Sequence, residues 1–337
     1  MGQVAVVLVN LGTPVEPTAK AVRRFLREFL SDQRVIDYPP VLWRTLLELV
    51  ILPIRSPKTA AKYASVWLDG GSALAVYSAR QVEGVQARLG DAAHVELATT
   101  YGEPSVANTL SRLYRDGFKR VLVIPMYSQY SITTVASVLD EVARYTLKAV
   151  GSPELRWVTS FEADEGYIDA MAARIEASWK QTGRPDFAAG DKLLLSFHGI
   201  PQAYDKAGDP YRSQCFASAA LLREKLGVGD DECLLTFQSK FGPAVWLTPA
   251  TIDTVARLGA AGVKRVDVFC PGFLADCLET LEEINMLNRE AYAEAYRAQA
   301  QPGAGEGEFN HIPCLNDDPK WLDALTAIVR ANLAGWV

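Results

Sequence analysis

The sequence predicts an α/β protein built from two Rossmann-like, doubly wound domains, each with a parallel four-stranded sheet. Apolar runs of strand length alternate with segments of helix length, and this alternation occurs twice. The junctions at Gly117 and Gly262 match, since each combines a helix end, a glycine and a strand start. Strands separated by helices need crossover connections and therefore pair in parallel. A length of 337 residues fits two domains.

The first domain is predicted at residues 1–150, with strands at 4–9, 95–100 and 120–125 and helices at 19–30 and 106–115. Turn-forming residues at 151–153 suggest a boundary. The second domain, 151–310, has predicted strands at 155–159, 192–197, 233–237 and 265–270, separated by helices at 167–181, 215–226 and 248–258. Residues 302–307 are predicted to form a loop. In residues 311–337 we expect a C-terminal helix that packs back on the body.

The composition excludes several classes of partner. A net charge of -6 gives no basic footprint for nucleic acid. Neither GxGxxG nor GxxxxGK[ST] occurs, so a nucleotide is not expected. The N-terminus enters an apolar strand without an export signal, which predicts a cytoplasmic protein. The five cysteines form no CxxC pair and are expected to be free thiols.

Residues 40–54 form an unusually apolar segment between prolines, interrupted by Arg44 and Glu48. The segment is too short to span a bilayer. It is either a core helix or an exposed apolar lip, which we place at about residues 35–55.

A histidine stands at the end of a predicted buried strand. His198 follows the apolar run at 192–197 and precedes Gly199 and Pro201. Open α/β sheets bind ligands at the carboxyl ends of their strands, so His198 should face a cleft. Alternatively, it only caps the strand by donating to a backbone carbonyl.

A second group of candidate residues follows the last predicted strand. After a Pro-Gly turn, a helix is expected to place Asp276, Glu279 and Glu283 on one face, at i, i+3 and i+7. The helix dipole favours the first acids but accounts poorly for Glu283, so a cation is the more specific explanation. Taken alone, the segment could equally be a solvated acidic face. An imidazole with carboxylates suits a divalent metal, and the imidazole can also accept a proton.

These motifs resemble the ferrochelatase family, in order along nearly the whole chain. They include Asn10-Leu11-Gly12-Thr13-Pro14, Gly70-Gly71-Ser72, Gln129-Tyr130-Ser131, Ser196-Phe197-His198-Gly199-Ile200-Pro201, Gln238-Ser239-Lys240-Phe241-Gly242-Pro243, Trp246-Leu247-Thr248-Pro249 and Cys277-Leu278-Glu279-Thr280-Leu281-Glu282-Glu283.

The resemblance implies a chelatase-like fold whose two domains clasp a porphyrin. It implies insertion of Fe²⁺ into protoporphyrin IX to give protohaem, the terminal step of haem biosynthesis, as in the bacterial type (protohaem ferro-lyase). His198 and Glu279 correspond to the catalytic, metal-binding pair, and Asp276 and Glu283 to a path for metal or protons. The motifs that line or support the porphyrin cleft, where core packing is the alternative, contain Ser72, Tyr127, Tyr130 and Trp246.

Departures from the family pattern also matter. Members with a two-iron two-sulfur cluster carry a cysteine where this chain has Ile132, and further cysteines C-terminal to the position of Cys314. We therefore expect no cluster and no cofactor, with Fe²⁺ as a substrate. Because porphyrin partitions into lipid, an apolar lip would contact the membrane peripherally, at its inner face.

Two other functions fit the same cleft. A cobalt or nickel chelatase for another tetrapyrrole would generally use paired histidines, whereas this chain has only His94, His198 and His311. A non-catalytic haem or metal carrier could use the same cleft.

Overall fold

The computed structural model describes residues 3–240, 242–299 and 306–337, which form two compact units. The first unit contains the chain up to Phe161 together with Asp317–Val337, and the second is Glu162–Asn316. Each unit contains a four-stranded sheet whose neighbouring strands are all parallel, which confirms the predicted fold class. The predicted loop at 302–307 lies outside the described residues up to position 305.

The first sheet has the strand order β2-β1-β3-β4. Its strands are β1 Gln3–Asn10, β2 His94–Thr99, β3 Phe118–Pro125 and β4 Glu154–Trp157. The helices of this unit are α1 Ala19–Leu30, α2 Pro40–Leu46, α3 Leu52–Ser65, α4 Ala73–Leu89, α5 Val106–Arg115, α6 Val135–Lys148 and α12 Pro319–Asn332, together with a π-helical turn Leu47–Ile51 and a 3₁₀ turn Gly90–Ala92.

Both faces of β1 are buried. Ala5, Val7 and Val9 pack with residues of α5 and α6 on one face, and the alternate residues Val6 and Leu8 are buried on the other. Side chains alternate across a strand, so a strand covered on both sides must be apolar at every position. Burial on both faces therefore explains the uninterrupted apolar run from which this strand was predicted.

The C-terminal helix α12 packs on α4 and completes the first unit. A side chain at Gly84 would place its Cβ only 2.5 Å from Leu322 Cδ1, so the two helices approach closely at this glycine. Trp321 is fully buried and stacks with Phe161, with ring centroids 6.1 Å apart. Arg88 Nε donates to Asp323 at 2.6 Å at the edge of this contact.

The apolar lip comprises α2, the π-helical turn and the start of α3. Six of its apolar side chains are between 44% and 80% exposed: Val41, Leu42, Leu46, Leu49, Val50 and Ile54. Leu47 and Leu52, by contrast, are buried. The lip therefore has one buried edge and one exposed face, and the two alternatives predicted for it each describe part of the segment. No helix in the described part of the chain is long and apolar enough to cross a membrane.

The second sheet has the strand order β6-β5-β7-β8. Its strands are β5 Lys192–His198, β6 Cys233–Gln238, β7 Arg265–Phe269 and β8 Glu308–His311. The helices of this unit are α7 Glu165–Thr182, α8 Gln202–Lys206, α9 Tyr211–Leu226, α10 Thr251–Ala260, α11 Arg289–Gln299 and a π-helix Glu279–Asn288, with a 3₁₀ turn Phe187–Ala189.

The structure corrects the predicted placement of one strand. We assigned residues 155–159 to the second sheet, but β4 pairs with β3 in the first, with Val121 opposite Leu155. The turn-forming residues 151–153 connect α6 to β4 inside one unit, so they are not a linker between domains. The fourth strand of the second sheet is instead β8, which is only four residues long and was not predicted.

Candidate functional site

His198 lies at the tip of β5, the strand that β6 and β7 flank on both sides. Its side chain is half-buried, and its ring meets Phe273 edge-on with centroids 6.2 Å apart. Burial lowers the pKa of His198 below the ordinary value of 6.5, and the nearby Glu279 carboxylate partly opposes this shift. The imidazole is therefore neutral near pH 7 and can accept a proton.

Gly199 allows the chain after His198 to turn tightly against β6. Its amide donates to the Gln238 carbonyl oxygen at 2.8 Å. A Cβ at this position would lie 2.9 Å from that oxygen and 3.2 Å from the Trp246 ring, so only glycine fits without a shift. Trp246 is half-buried, and its backbone is held by a bridge to Pro201. The indole is thereby fixed next to the turn that follows His198.

Glu279 is the first residue of the π-helix, and β6 fixes its backbone. Gln238 Nε2 donates to the Glu279 carbonyl oxygen at 3.1 Å, while Gln238 Oε1 accepts from Ser196 Oγ at 2.8 Å. The Glu279 side chain is only half-buried and acts electrostatically on His198. The end of β6 thus holds the backbone of Glu279, whose carboxylate affects the imidazole at the end of the neighbouring strand β5. π-Helical turns are frequent at functional sites.

Glu283 is held by the residue that follows β6. Ser239 donates to its two carboxylate oxygens, from the backbone nitrogen at 2.7 Å and from Oγ at 2.6 Å. Ser239 has φ 66°, a left-handed conformation that non-glycine residues rarely adopt. Burial raises the pKa of Glu283, Ser239 opposes the shift, and the nearby Glu279 adds to it. Glu283 and Ser239 therefore fix each other.

Asp276 lies before the π-helix, so the prediction of three acids on one helical face is wrong. It is 3% exposed. Asn316 Nδ2 donates to its carboxylate at 2.7 Å, Thr280 Oγ1 at 2.8 Å and the Cys314 amide at 3.4 Å. Its own amide donates to Asn316 Oδ1 at 2.7 Å. The chain after the Pro-Gly turn stays irregular up to residue 277, and Asp276 anchors it there.

The other predicted porphyrin-contacting residues belong to the first unit. The Ser72 hydroxyl caps α4 by accepting from the Ala75 amide at 3.2 Å. Tyr127 is partly buried and packs on the core formed by β1, β3, α5 and α6. Tyr130 is half-buried and close enough to Arg34 to raise its pKa, after the larger effect of Asp140.

Three residues of the site were not singled out from the sequence. Gln238 is the last residue of β6 and Ser239 follows it, beside His198 at the end of β5. Both could have been found from the rule that open α/β sheets bind ligands at the carboxyl ends of their strands. Asn316 has no such signal, because it lies in an irregular segment and reaches Asp276 across 40 positions of the sequence.

His198 and Glu279 are the two predicted metal ligands of the site. Within residues 3–240, 242–299 and 306–337, no group of three or more His, Cys, Asp or Glu could hold one. His198 and Glu279 offer one nitrogen and one carboxylate, fewer ligands than the four of a closed structural zinc site.

Burial raises the pKa of the five free thiols, to about 11 for Cys233 and well above the ordinary value for Cys215, Cys270, Cys277 and Cys314.

The fold is similar to that of known chelatases. SirB from Bacillus subtilis with Fe³⁺ matches with a TM-score of 0.58 and 13% identity, over 99% of this chain and 97% of that one. The sirohydrochlorin chelatase SirB of the subspecies spizizenii in complex with cobalt matches at 0.55 and 12%, over 98% and 95%. A multi-domain Deinococcus radiodurans protein with structural similarity to chelatases matches at 0.55 and 13%, over 98% of this chain and 55% of that one.

At these identities the structural matches show the fold alone. The sequence carries the family assignment. The family model described as Ferrochelatase matches residues 3–333, nearly the whole chain, which confirms the resemblance seen in the motifs. The chain therefore belongs to the ferrochelatase family.

Proposed function

We propose that this protein is a ferrochelatase that inserts Fe²⁺ into protoporphyrin IX to form protohaem. The observation that carries the proposal is the pairing, at one sheet edge, of a neutral imidazole at His198 with a carboxylate at Glu279. A reaction that removes protons and delivers a divalent cation needs a base and an anionic ligand together. Membership of the ferrochelatase family supports metal insertion as the reaction class.

The overall reaction exchanges one Fe²⁺ for two protons. The free-base porphyrin carries two pyrrole N–H groups, and both protons must leave as the metal enters. In the proposed mechanism His198 accepts a proton and Glu279 holds or passes the Fe²⁺ after water has been removed from the ion. The nearby aromatic rings of Phe273 and Trp246 would form an apolar wall of the porphyrin site.

Glu283 is proposed to continue this path for metal or protons. It lies four residues after Glu279 on the same π-helix, and the charge of Glu279 adds to the burial that raises its pKa. Asp276 is the weaker candidate for the path, because it is buried and its carboxylate accepts three hydrogen bonds. We propose that Asp276 instead holds the start of the helix in position for Glu279.

Ser72, Tyr127 and Tyr130 are proposed as further residues that bind the porphyrin or support the residues that do. The reaction would need no cofactor and no iron–sulfur cluster. The protein would act in the cytoplasm, with the apolar lip in peripheral contact with the inner membrane face, since the porphyrin substrate partitions into lipid.

The structural similarity to a sirohydrochlorin chelatase raises the alternative of a cobalt or nickel chelatase. His311 is the other histidine of the second unit, and it lies on β8, two strands from β5. Two strand spacings correspond to about 10 Å. In register, His311 is opposite Val268, which faces Leu194, four residues before His198. The two imidazoles cannot share one metal ion, which disfavours a mechanism that depends on paired histidines.

The decisive experiment is an anaerobic assay of the purified protein with Fe²⁺ or Zn²⁺ and protoporphyrin IX, read from the absorbance of the metallated product. We expect many turnovers per protein molecule. A matched assay with Co²⁺ and sirohydrochlorin should give little product. If only the second assay turns over, the substrate assignment is wrong. Stoichiometric bound haem without turnover in either assay would identify a carrier.

A further inference from the structure

A surface pocket of about 300 Å³ lies in the first unit, between α1 and the start of α3. None of the residues that line it has been assigned a role in metal insertion. Its volume is at the lower end of the range for small-ligand sites. Helix α1 contributes the basic residues Lys20 and Arg23 to its lining, and α3 contributes the apolar residues Leu52, Pro53 and Pro57 together with Ser56.

Two polar atoms of this lining lack a partner. Arg23 Nε and Ser56 Oγ are buried and form no hydrogen bond with any residue that the structure describes. Ser56 as a whole is only 2% exposed. The Arg23 guanidinium is nevertheless held in place, because its Nη2 donates to the Glu48 carbonyl oxygen at 3.3 Å and to the carboxylate at 3.4 Å. Two buried donors beside one pocket indicate that an acceptor fills it.

The charge around the pocket favours an anion. Helix α1 carries four basic residues, Lys20, Arg23, Arg24 and Arg27, and one acid, Glu28. Glu48 binds Arg23 and Arg27, which still leaves an excess of two positive charges in a chain whose net charge is -6. The first turn of α1 contains no acidic residue, so its dipole adds to this positive field. A phosphate group, with several acceptor oxygens, suits such a set of donors.

The apolar side of the pocket continues into the lip. Pro53 lines the pocket and neighbours Val50 and Ile54, whose side chains are among the exposed apolar groups of the lip. A soluble phosphate compound would leave these side chains in water. A phospholipid would cover them with hydrocarbon while its phosphate occupies the pocket. We infer that the pocket binds the phosphate of an anionic phospholipid, with the lip inserted beside it. This inference is independent of the proposed reaction.

The test compares variants that keep the charge constant. Binding to phosphatidylcholine vesicles, with and without phosphatidylglycerol, is measured for the wild type, Arg23→Lys, Ser56→Ala and the control Arg24→Lys. Arg24 has the same charge on the same helix, but it does not line the pocket. We expect the wild type to prefer phosphatidylglycerol at least fivefold, by the scale of about one such factor for each basic residue near the surface. Arg23→Lys and Ser56→Ala should each weaken this binding about tenfold, and Arg24→Lys should not.

Unchanged melting temperatures and unchanged turnover of detergent-solubilised porphyrin would show that the variants are folded. Equal binding to both kinds of vesicle would overturn the inference, as would equal effects of all three variants, because general electrostatic attraction or the lip alone would then account for the binding. A second experiment measures the binding of glycerol phosphate to the same variants by calorimetry. The lipid assignment is wrong if glycerol phosphate binds saturably, if Arg23→Lys and Ser56→Ala weaken this binding, and if glycerol phosphate does not weaken vesicle binding. The pocket would then bind a free phosphate compound.

Discussion

The two sheets share their strand order and direction, yet their central strands end in different ways. In the first, β1 ends at Asn10, whose side-chain amide donates to Ser78 Oγ at 3.0 Å and accepts from the Leu11 amide at 2.8 Å. In the second, β5 ends at His198, which is half-buried and acts together with Glu279. The side chain at the end of β1 is buried and hydrogen-bonded, whereas the side chain at the end of β5 is partly exposed. The chemistry depends on the groups that end the strand, since the sheet topology is the same.

The largest effect is expected for His198→Ala, which tests the proposed role of His198 as the proton acceptor. We expect kcat for metal insertion to fall by about 10²–10⁴, because the variant loses the proposed proton acceptor. The control is His94→Ala, which removes an exposed histidine of the first unit and should leave kcat unchanged. If His198→Ala keeps more than a tenth of the wild-type turnover, the assignment of His198 as the base is wrong.

The apolar lip contains a buried leucine, Leu47, and an exposed leucine, Leu49, only two positions apart. Leu47→Glu places a carboxylate in a buried site and should lower the free energy of unfolding by about 3 kcal/mol or more. Leu49→Glu, at a position that is 72% exposed, should change it by about 0.5 kcal/mol or less while weakening vesicle binding. Denaturant titration and vesicle sedimentation measure the two effects. Equal destabilisation by both changes would mean that Leu49 is also buried in solution.

The hydrogen bonds between Asp276 and Asn316 can be removed without changing His198 or Glu279. Asn316 has φ 50°, so Asn316→Gly removes the side-chain amide and still tolerates the backbone conformation. Asp276 then loses two hydrogen bonds of 2.7 Å. We expect kcat to fall about tenfold, since small displacements of a catalytic group are costly. Unaltered kcat in a folded variant would show that the anchor does not position Glu279.

The smallest predicted effect concerns pH. The pKa of His198 is lowered by burial, so the neutral, active form persists below pH 6.5 and activity is lost only as the pH falls through the lower folded-state value. Removal of the Glu279 charge by Glu279→Gln should lower this pKa further, because the carboxylate favours the protonated imidazole. NMR titration of the imidazole measures both values. A pKa above 6.5 in the wild type, or an upward shift in the variant, would contradict this electrostatic account.

Much of this comparison was predictable from the sequence. The apolar runs located seven of the eight strands found in the described residues. The rule that ligands bind at the carboxyl ends of parallel strands brought His198 and the segment around Glu279 together. Both inferences depend on local patterns that a parallel sheet imposes on its strands. The exception, β8, has four residues with little apolar character, and its pairing with β7 is a tertiary contact.

The details of the acidic segment could not be predicted in this way. An i, i+3, i+7 spacing has meaning only for an α-helix, and here the helix is of the π type and begins after Asp276. Asp276 instead pairs with Asn316, a residue distant in sequence. Likewise, periodicity alone could not separate Leu47 from its exposed neighbours in the lip, because that difference depends on what packs against each side chain.

The position of α12 has a consequence for the order in which the protein is made. Residues 162–316 leave the ribosome as one contiguous unit, whereas the first unit lacks α12 until synthesis has passed residue 332. Domains usually fold in the order of their synthesis. Here the unit that is begun first can be completed only last, and until then the surface of α4 around Gly84 that receives Leu322 stays open to the solvent and to chaperones.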